Sequence, residues 1–207
     1  IFGQSAWNHL NSNVETELHD IFFLDLDTGW CCGDSGTALI TTDGGLNWES
    51  IANNSFNSYV FHKIHFVNKN TGWLICTERY KPFILNTING GRTWKKKVFE
   101  NVNNLSDMFF INDKTGWIVE GNFESNSKMF RTIDGGLTWE TYLNSIPAEK
   151  VFFFNDSLGF SCFVGISKTT DGGKTWVKKQ DAPNQWDSHF HSLFFLNEQI
   201  GWAIGET

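Results

Sequence analysis

Two aspartates, Asp20 and Asp107, occupy equivalent positions in a repeating sequence. They could form the acid–base pair of a glycoside hydrolase, which needs two carboxylates flanking one glycosidic bond. The full column reads Asp20, Lys63, Asp107, Lys150, Ser192 and alternates in sign. Charge pairing and solvation at a channel rim explain that alternation better than catalysis does. One residue earlier the column is His19, His62, Ser106, Glu149, His191. Three matched histidines suit a metal only if their rings meet at ~2.0–2.1 Å from one ion. Equivalent atoms of successive repeats are instead spread around a ring, so a polar rim is expected, with no metal and no cofactor. Cys31, Cys32, Cys76 and Cys162 lack CxxC spacing and read as small apolar strand residues.

Composition limits the elements that could hold these residues. The chain has 207 residues and a net charge of −7, which argues against nucleic-acid or anionic-membrane partners, since both need a basic surface. No uninterrupted apolar run exceeds four residues, whereas a membrane helix needs ~20, so no membrane insertion is expected. Phe (20) and Trp (10) are abundant and Pro (3) is scarce, which excludes a disordered chain and favours an aromatic-rich, all-β protein. The opening Ile1-Phe2-Gly3-Gln4-Ser5 reads as the end of an export signal, predicting a periplasmic, cell-surface or secreted protein.

Two periodic motifs set the architecture. Gly-aromatic pairs recur at Gly29-Trp30, Gly72-Trp73, Gly116-Trp117, Gly159-Phe160 and Gly201-Trp202, their aromatic members 42 to 44 residues apart. Between them lie four copies of T-x-[DN]-G-G-x-x-W, carried by Asp43, Gly45 and Trp48, by Asn89, Gly91 and Trp94, by Asp134, Gly136 and Trp139, and by Asp171, Gly173 and Trp176. In each box the Asp or Asn can accept backbone N–H groups just ahead of it, and the glycines supply positive φ for a hairpin turn. The Trp then starts the next strand and covers the turn. The boxes are therefore expected to be structural.

Four short strands per period of about 40–50 residues indicate β-propeller blades. The first repeat predicts strands over Leu18–Leu24, Trp30–Gly33, Ala38–Thr42 and Asn47–Ile51. The first strands, such as Ile21–Leu24 and Val151–Phe154, are apolar on both faces, as sandwiched strands must be. The chain divides into blades over 18–52, 61–99, 105–143 and 149–180, with a partial blade over 190–207. Trp7 reads as the outer strand (1–10) of the closing blade, and Trp186 alone lacks a structural place. Four complete blades plus partial ones predict a fragment of a larger propeller.

The T-x-D-G-G-x-x-W boxes resemble the Asp-box (bacterial neuraminidase) repeat. A Phe followed by Asp or Asn and then Gly-Trp narrows the match, as in Phe22 to Trp30 with Asp25 and Phe109 to Trp117 with Asn112. Together they resemble the photosystem II assembly and stability factor family and its non-photosynthetic relatives. That resemblance implies an exported propeller of about seven blades acting as a protein-binding assembly platform. Photosynthetic members carry a basic, Arg-rich surface. Three arginines (Arg79, Arg92, Arg131) and a charge of −7 argue against the photosynthetic role itself. Sialidases share the box but need three converging arginines. Arg92 lies inside a peripheral turn and Arg131 directly precedes one.

The expectation is a non-catalytic scaffold with a protein partner. The alternative is a sialidase-like or glucanase-like hydrolase that binds a glycan and uses Asp20 and Asp107. Loops on the face opposite the boxes offer Phe56, Tyr59, Arg79, Tyr80, Phe123 and Trp186, residue types that anchor protein interfaces. The connection Glu78–Lys81 is expected to be a long loop on that face.

Overall fold

A computed structural model of the chain describes residues 10–52, 54–121, 127–143, 148–181 and 189–205. It contains four antiparallel four-stranded sheets and one strand pair, each with its strands in chain order. The first blade comprises β1 (Leu18–Phe23), β2 (Gly29–Gly33), β3 (Ala38–Thr41) and β4 (Glu49–Ser50); a short 3-10 turn, Asn54–Phe56, follows. The second comprises β5 (Val60–Phe66), β6 (Gly72–Glu78), β7 (Lys81–Thr87) and β8 (Lys95–Val98). The third comprises β9 (Asp107–Phe110), β10 (Gly116–Val119), β11 (Lys128–Thr132) and β12 (Glu140–Leu143). The fourth comprises β13 (Lys150–Phe153), β14 (Gly159–Cys162), β15 (Gly165–Thr169) and β16 (Val177–Asp181); β17 (Phe190–Asn197) and β18 (Ile200–Gly205) begin a fifth. The all-β propeller architecture read from the repeats is the observed one. Trp7, Phe123 and Trp186 lie outside the described residues.

The Asp box closes the turn between the third and fourth strands. In the first box Thr41 Oγ1 donates to Asp43 Oδ1 at 2.9 Å and accepts Gly45 N–H at 2.9 Å, while Asp43 Oδ1 accepts Asn47 N–H at 2.9 Å. Gly44 and Gly45 sit at φ 72° and 91°, where a side chain would be strained. The same bonds recur around Asn89, Asp134 and Asp171. Trp139 and Trp176 lie over their own turns, each indole N–H donating to the second box glycine, Gly136 or Gly173.

Blades are joined by aromatic stacks. Trp30 lies flat on Phe66 (4.0 Å, 2°), Trp73 on Phe110 (3.5 Å, 8°) and Trp117 on Phe153 (3.6 Å, 2°). The Phe ring in turn meets the box Trp of its own blade edge-on, as in Phe66–Trp94 at 84° and Phe110–Trp139 at 88°. The glycine of each Gly-aromatic pair makes room for this ring. Phe110 pairs across strands with Gly116, and a Cβ there would come within 2.1 Å of it. The core is accordingly a series of slabs between blades, with Trp30, Trp73 and Trp117 all fully buried.

Two expectations need correction. The first strands are not all sandwiched: β1 exposes Ile21 (59%) and Phe23 (40%), and the terminal pair exposes Phe194 and Trp202, because no blade covers those faces among the described residues. The Glu78–Lys81 connection is not a long loop. Glu78 pairs with Lys81, so β6 and β7 run on for seven residues each and meet in a two-residue turn, Arg79-Tyr80.

Candidate functional site

The innermost strands β1, β5, β9, β13 and β17 all contribute to the lining of a channel of about 310 Å³. Asp20, Lys63, Asp107, Lys150 and Ser192 all line it, so the sequence column is also a spatial belt. Asp20 Oδ2 accepts Ile64 N–H at 2.9 Å, and Asp107 Oδ2 accepts Val151 N–H at 3.0 Å. Each carboxylate thereby ties its own blade to the next. Lys63 Nζ lies 3.0 Å from Asp107 Oδ1, the charge pairing expected from the alternation. The belt departs from expectation in depth: Asp107 is 4% exposed, so it is interior rather than a solvated rim residue. Burial raises the Asp20 carboxyl above its ordinary value, partly opposed by the Lys63 charge. For Lys63, burial pulls the ammonium down, but the Asp107 and Asp20 charges outweigh it and the net shift is upward.

A half-buried aromatic wall flanks the belt. Phe22, His65, Phe109 and Phe152 follow one another with neighbouring centroids 4.8, 5.6 and 4.9 Å apart. Burial drops His65 to about 4, so its ring is neutral at ordinary pH. Its Nε2 lies 3.0 Å from the Phe110 carbonyl, which fixes the tautomer with the proton on Nε2. Chemically, the channel holds a carboxylate neutralised by a lysine and two inter-blade braces. The histidine column is divided. His19 stacks on His62 at 5.9 Å, yet His19 Nε2 faces Asp34 Oδ1 and His62 Nε2 faces Thr77 Oγ1, both at 2.8 Å. Among the described residues no group of three His, Cys, Asp or Glu side chains could hold a metal ion. All four cysteines are buried and free.

The expected loop face is built differently from its sequence reading. Phe56 stacks on Tyr59 at 5.5 Å, and both are half-buried against the core between the first two blades. Gly36 permits this docking: its N–H donates to the Tyr59 carbonyl at 2.7 Å, and a Cβ there would strike the Phe56 carbonyl. Phe56 and Tyr59 thus support the surface, while Arg79 and Tyr80 project from it. Tyr80 is 94% exposed, and both turn residues are left-handed, at φ 50° and 65°. Non-glycine residues held there are strained, a feature that gathers at functional sites.

Beside them lies a group that sequence reasoning passed over. Lys96 Nζ sits 3.8 Å above the Phe83 ring, 3.4 Å from Tyr59 Oη and 3.1 Å from Glu78 Oε2. The available signal was the Lys95-Lys96-Lys97 run on a strand, where alternation must send one lysine toward the blade's aromatic face.

Residues 2–101 match the model of the Photosynthesis system II assembly factor YCF48 family. Over 206 residues the chain is 23% identical to the Photosystem II assembly lipoprotein Ycf48 of Picosynechococcus sp.. That match covers 95% of this chain and 58% of the relative, so the chain spans less than two thirds of the relative's length. Among solved structures it is similar to YCF48 bound to D1 peptide (TM-score 0.54, 16% identity, 95% of this chain and 93% of that one). It is equally similar to YCF48 from Cyanidioschyzon merolae (TM-score 0.55, 16% identity, 97% and 96%). The Niastella koreensis GH74 enzyme shares the fold over 81% of this chain and 30% of its own (TM-score 0.62, 18% identity). The chain resembles the photosystem II assembly factor family, and its fold is that of these propellers.

Proposed function

We propose that this chain is a non-catalytic, exported propeller that binds a protein partner through the face carrying the Arg79-Tyr80 turn. The observation that carries the reading is a strained, exposed Arg-Tyr pair at the tip of the longest complete-blade hairpin, standing on a rigid four-stranded sheet. Arginine and tyrosine supply large contact area and directional bonds, which is why they dominate interface energetics. Phe56 and Tyr59 hold the base of the hairpin; Phe123 and Trp186, which lie outside the described residues, complete the proposed set of binding residues. The peptide complex of a YCF48 protein and the lipoprotein nature of the Picosynechococcus relative support a protein partner and an export route.

Glycoside hydrolysis is the second reading, favoured by the GH74 likeness and by the presence of Asp20 and Asp107 on one channel. Two assays separate them. A photo-crosslinking residue at position 80 should trap a discrete protein in the native host, while one at Ile133, an exposed box-turn position, should not. Turnover of a glycan panel, abolished by both Asp20→Asn and Asp107→Asn, would replace the binding reading with the hydrolase.

A further inference from the structure

Charge in this molecule is distributed by blade. Residues 1–60 hold eight acidic residues and no Lys or Arg, whereas residues 61–99 hold eight of the 16 Lys and Arg against one acid, Glu78. A chain of net −7 thus contains one strongly basic blade, and that blade's box carries Asn89 where the other three carry Asp. Two of the eight cations are engaged, Lys63 by Asp107 and Lys96 by Glu78. The other six, Lys69, Arg79, Lys81, Arg92, Lys95 and Lys97, are exposed and form no ion pair among the described residues.

Four of these cations border one feature. Strand β8 is the outermost strand of its blade and is exposed throughout. Its register with β7 turns Lys96 and Val98 to the side of Phe83 and Leu85, and Lys95 and Lys97 to the other side. On the Phe83 side, a groove of about 340 Å³ runs under the hairpin tip, with Pro82, Phe83 and Val98 as apolar floor, Arg79 and Lys81 beside it, and its one carboxylate, Glu78, paired with Lys96, whose ammonium lies over the Phe83 ring. The other outermost strands are less basic: β4 is Glu-Ser, β12 begins with Glu140, and β16 carries Lys178 and Lys179 but pairs Lys178 with its own Asp181.

We propose that the outer edge of the second blade, β8 with the Arg79–Lys81 tip, docks an extended acidic–apolar segment of a partner protein. A strand laid along β8 presents alternate side chains to its two sides. Carboxylates on one side meet Lys95 and Lys97, and an apolar side chain on the other enters the Phe83–Val98 groove between Arg79 and Lys81. Charge complementarity then sets encounter rate and register, while the apolar residue supplies burial. This inference rests on the protein-binding reading and names the chemistry of its partner.

The probe is a capped, fluorescein-labelled Glu-Phe-Glu-Val-Glu peptide, with a Lys-for-Glu peptide as control and phosphatidylglycerol-containing vesicles as a membrane arm. Saturable binding of the acidic peptide alone is expected, weakening as salt rises. The triple variant Lys81→Gln/Lys95→Gln/Lys97→Gln should weaken it about tenfold or more, while Lys174→Gln/Lys179→Gln in the fourth blade should leave it within about twofold. All substitutions lie on exposed side chains, and melting curves check that both variants fold. Absence of peptide binding, equal loss in the two variants, or recruitment to vesicles without peptide binding would each overturn the proposal. A crosslinked protein at position 80 alongside any of these results would leave the binding reading standing and sink only the acidic-segment inference.

Discussion

Trp117 lies flat on Phe153 of the next blade, the two rings 3.6 Å apart and 2° from parallel, and its indole N–H reaches across to the Gly172 carbonyl at 2.8 Å. One side chain thus joins strand β10 to the neighbouring blade's first strand and to its Asp box. Trp117→Ala should therefore cost about 3–5 kcal/mol, in the range for truncating a buried aromatic. Trp139→Ala, in a half-buried box position, should cost less and leave partner binding unchanged in the folded fraction. Denaturant melts of the two variants rank them, and the reverse order would contradict the stacking scheme.

Gly116→Ala should be nearly as damaging as loss of the tryptophan, because its Cβ would fall 2.1 Å from the Phe110 ring and that ring is held by Trp73. A melting temperature within a degree or so of wild type would show that the Phe ring is not fixed by the glycine.

The channel makes stability pH-dependent in two opposite ways. His65 titrates at about 4 when folded against an ordinary 6.5. Its neutral form stabilises the fold above the unfolded value, and that contribution is lost as pH falls from 6.5 toward 4. The loss is at most about 3 kcal/mol. His65→Phe should remove this segment of the pH–stability curve. Asp20 has a raised folded value, so its ionisation opposes folding and stability falls as pH rises through its titration. Asp20→Asn, which can still accept the Ile64 N–H, should be neutral or stabilising at pH 7 and lose that advantage below the ordinary carboxyl value. Urea melts of both variants across pH 3–8 test the two signs together.

Asp107→Asn should behave differently from Asp20→Asn, since it takes the carboxylate from the Lys63–Asp107 pair and leaves the half-buried ammonium facing Asp20 alone. Breaking a fully buried pair from one side costs about 3–5 kcal/mol, and the partial exposure of Lys63 places this loss below that range. Adding Lys63→Met should recover part of the loss. If the double variant is no more stable than Asp107→Asn, the pair is not what the belt depends on.

The repeat was legible because each motif residue serves its own turn or the adjacent blade in a fixed register. Thr41, Asp43 and Gly45 bond within five residues, and Gly116 accommodates Phe110 through a single strand pairing. The alternating Asp20–Lys63–Asp107 column announced charge pairing, but not that the carboxylates would bridge blades. That depends on the distance from Asp107 to Val151, 44 residues away, which only the packed stacks determine. Aromatic type likewise marked Phe56 and Tyr59 as interface residues. The Gly36 contact that half-buries them joins two loops of different blades and leaves no periodic trace.

The most direct measurement replaces Arg79-Tyr80 by Asn-Gly, the pair suited to left-handed hairpin turns, and compares melting temperature with affinity for the protein crosslinked at position 80. The account predicts unchanged or higher stability, since two strained residues are relieved, together with loss of binding. Retained binding with the tip replaced would contradict the assignment of the second-blade hairpin as the recognition element.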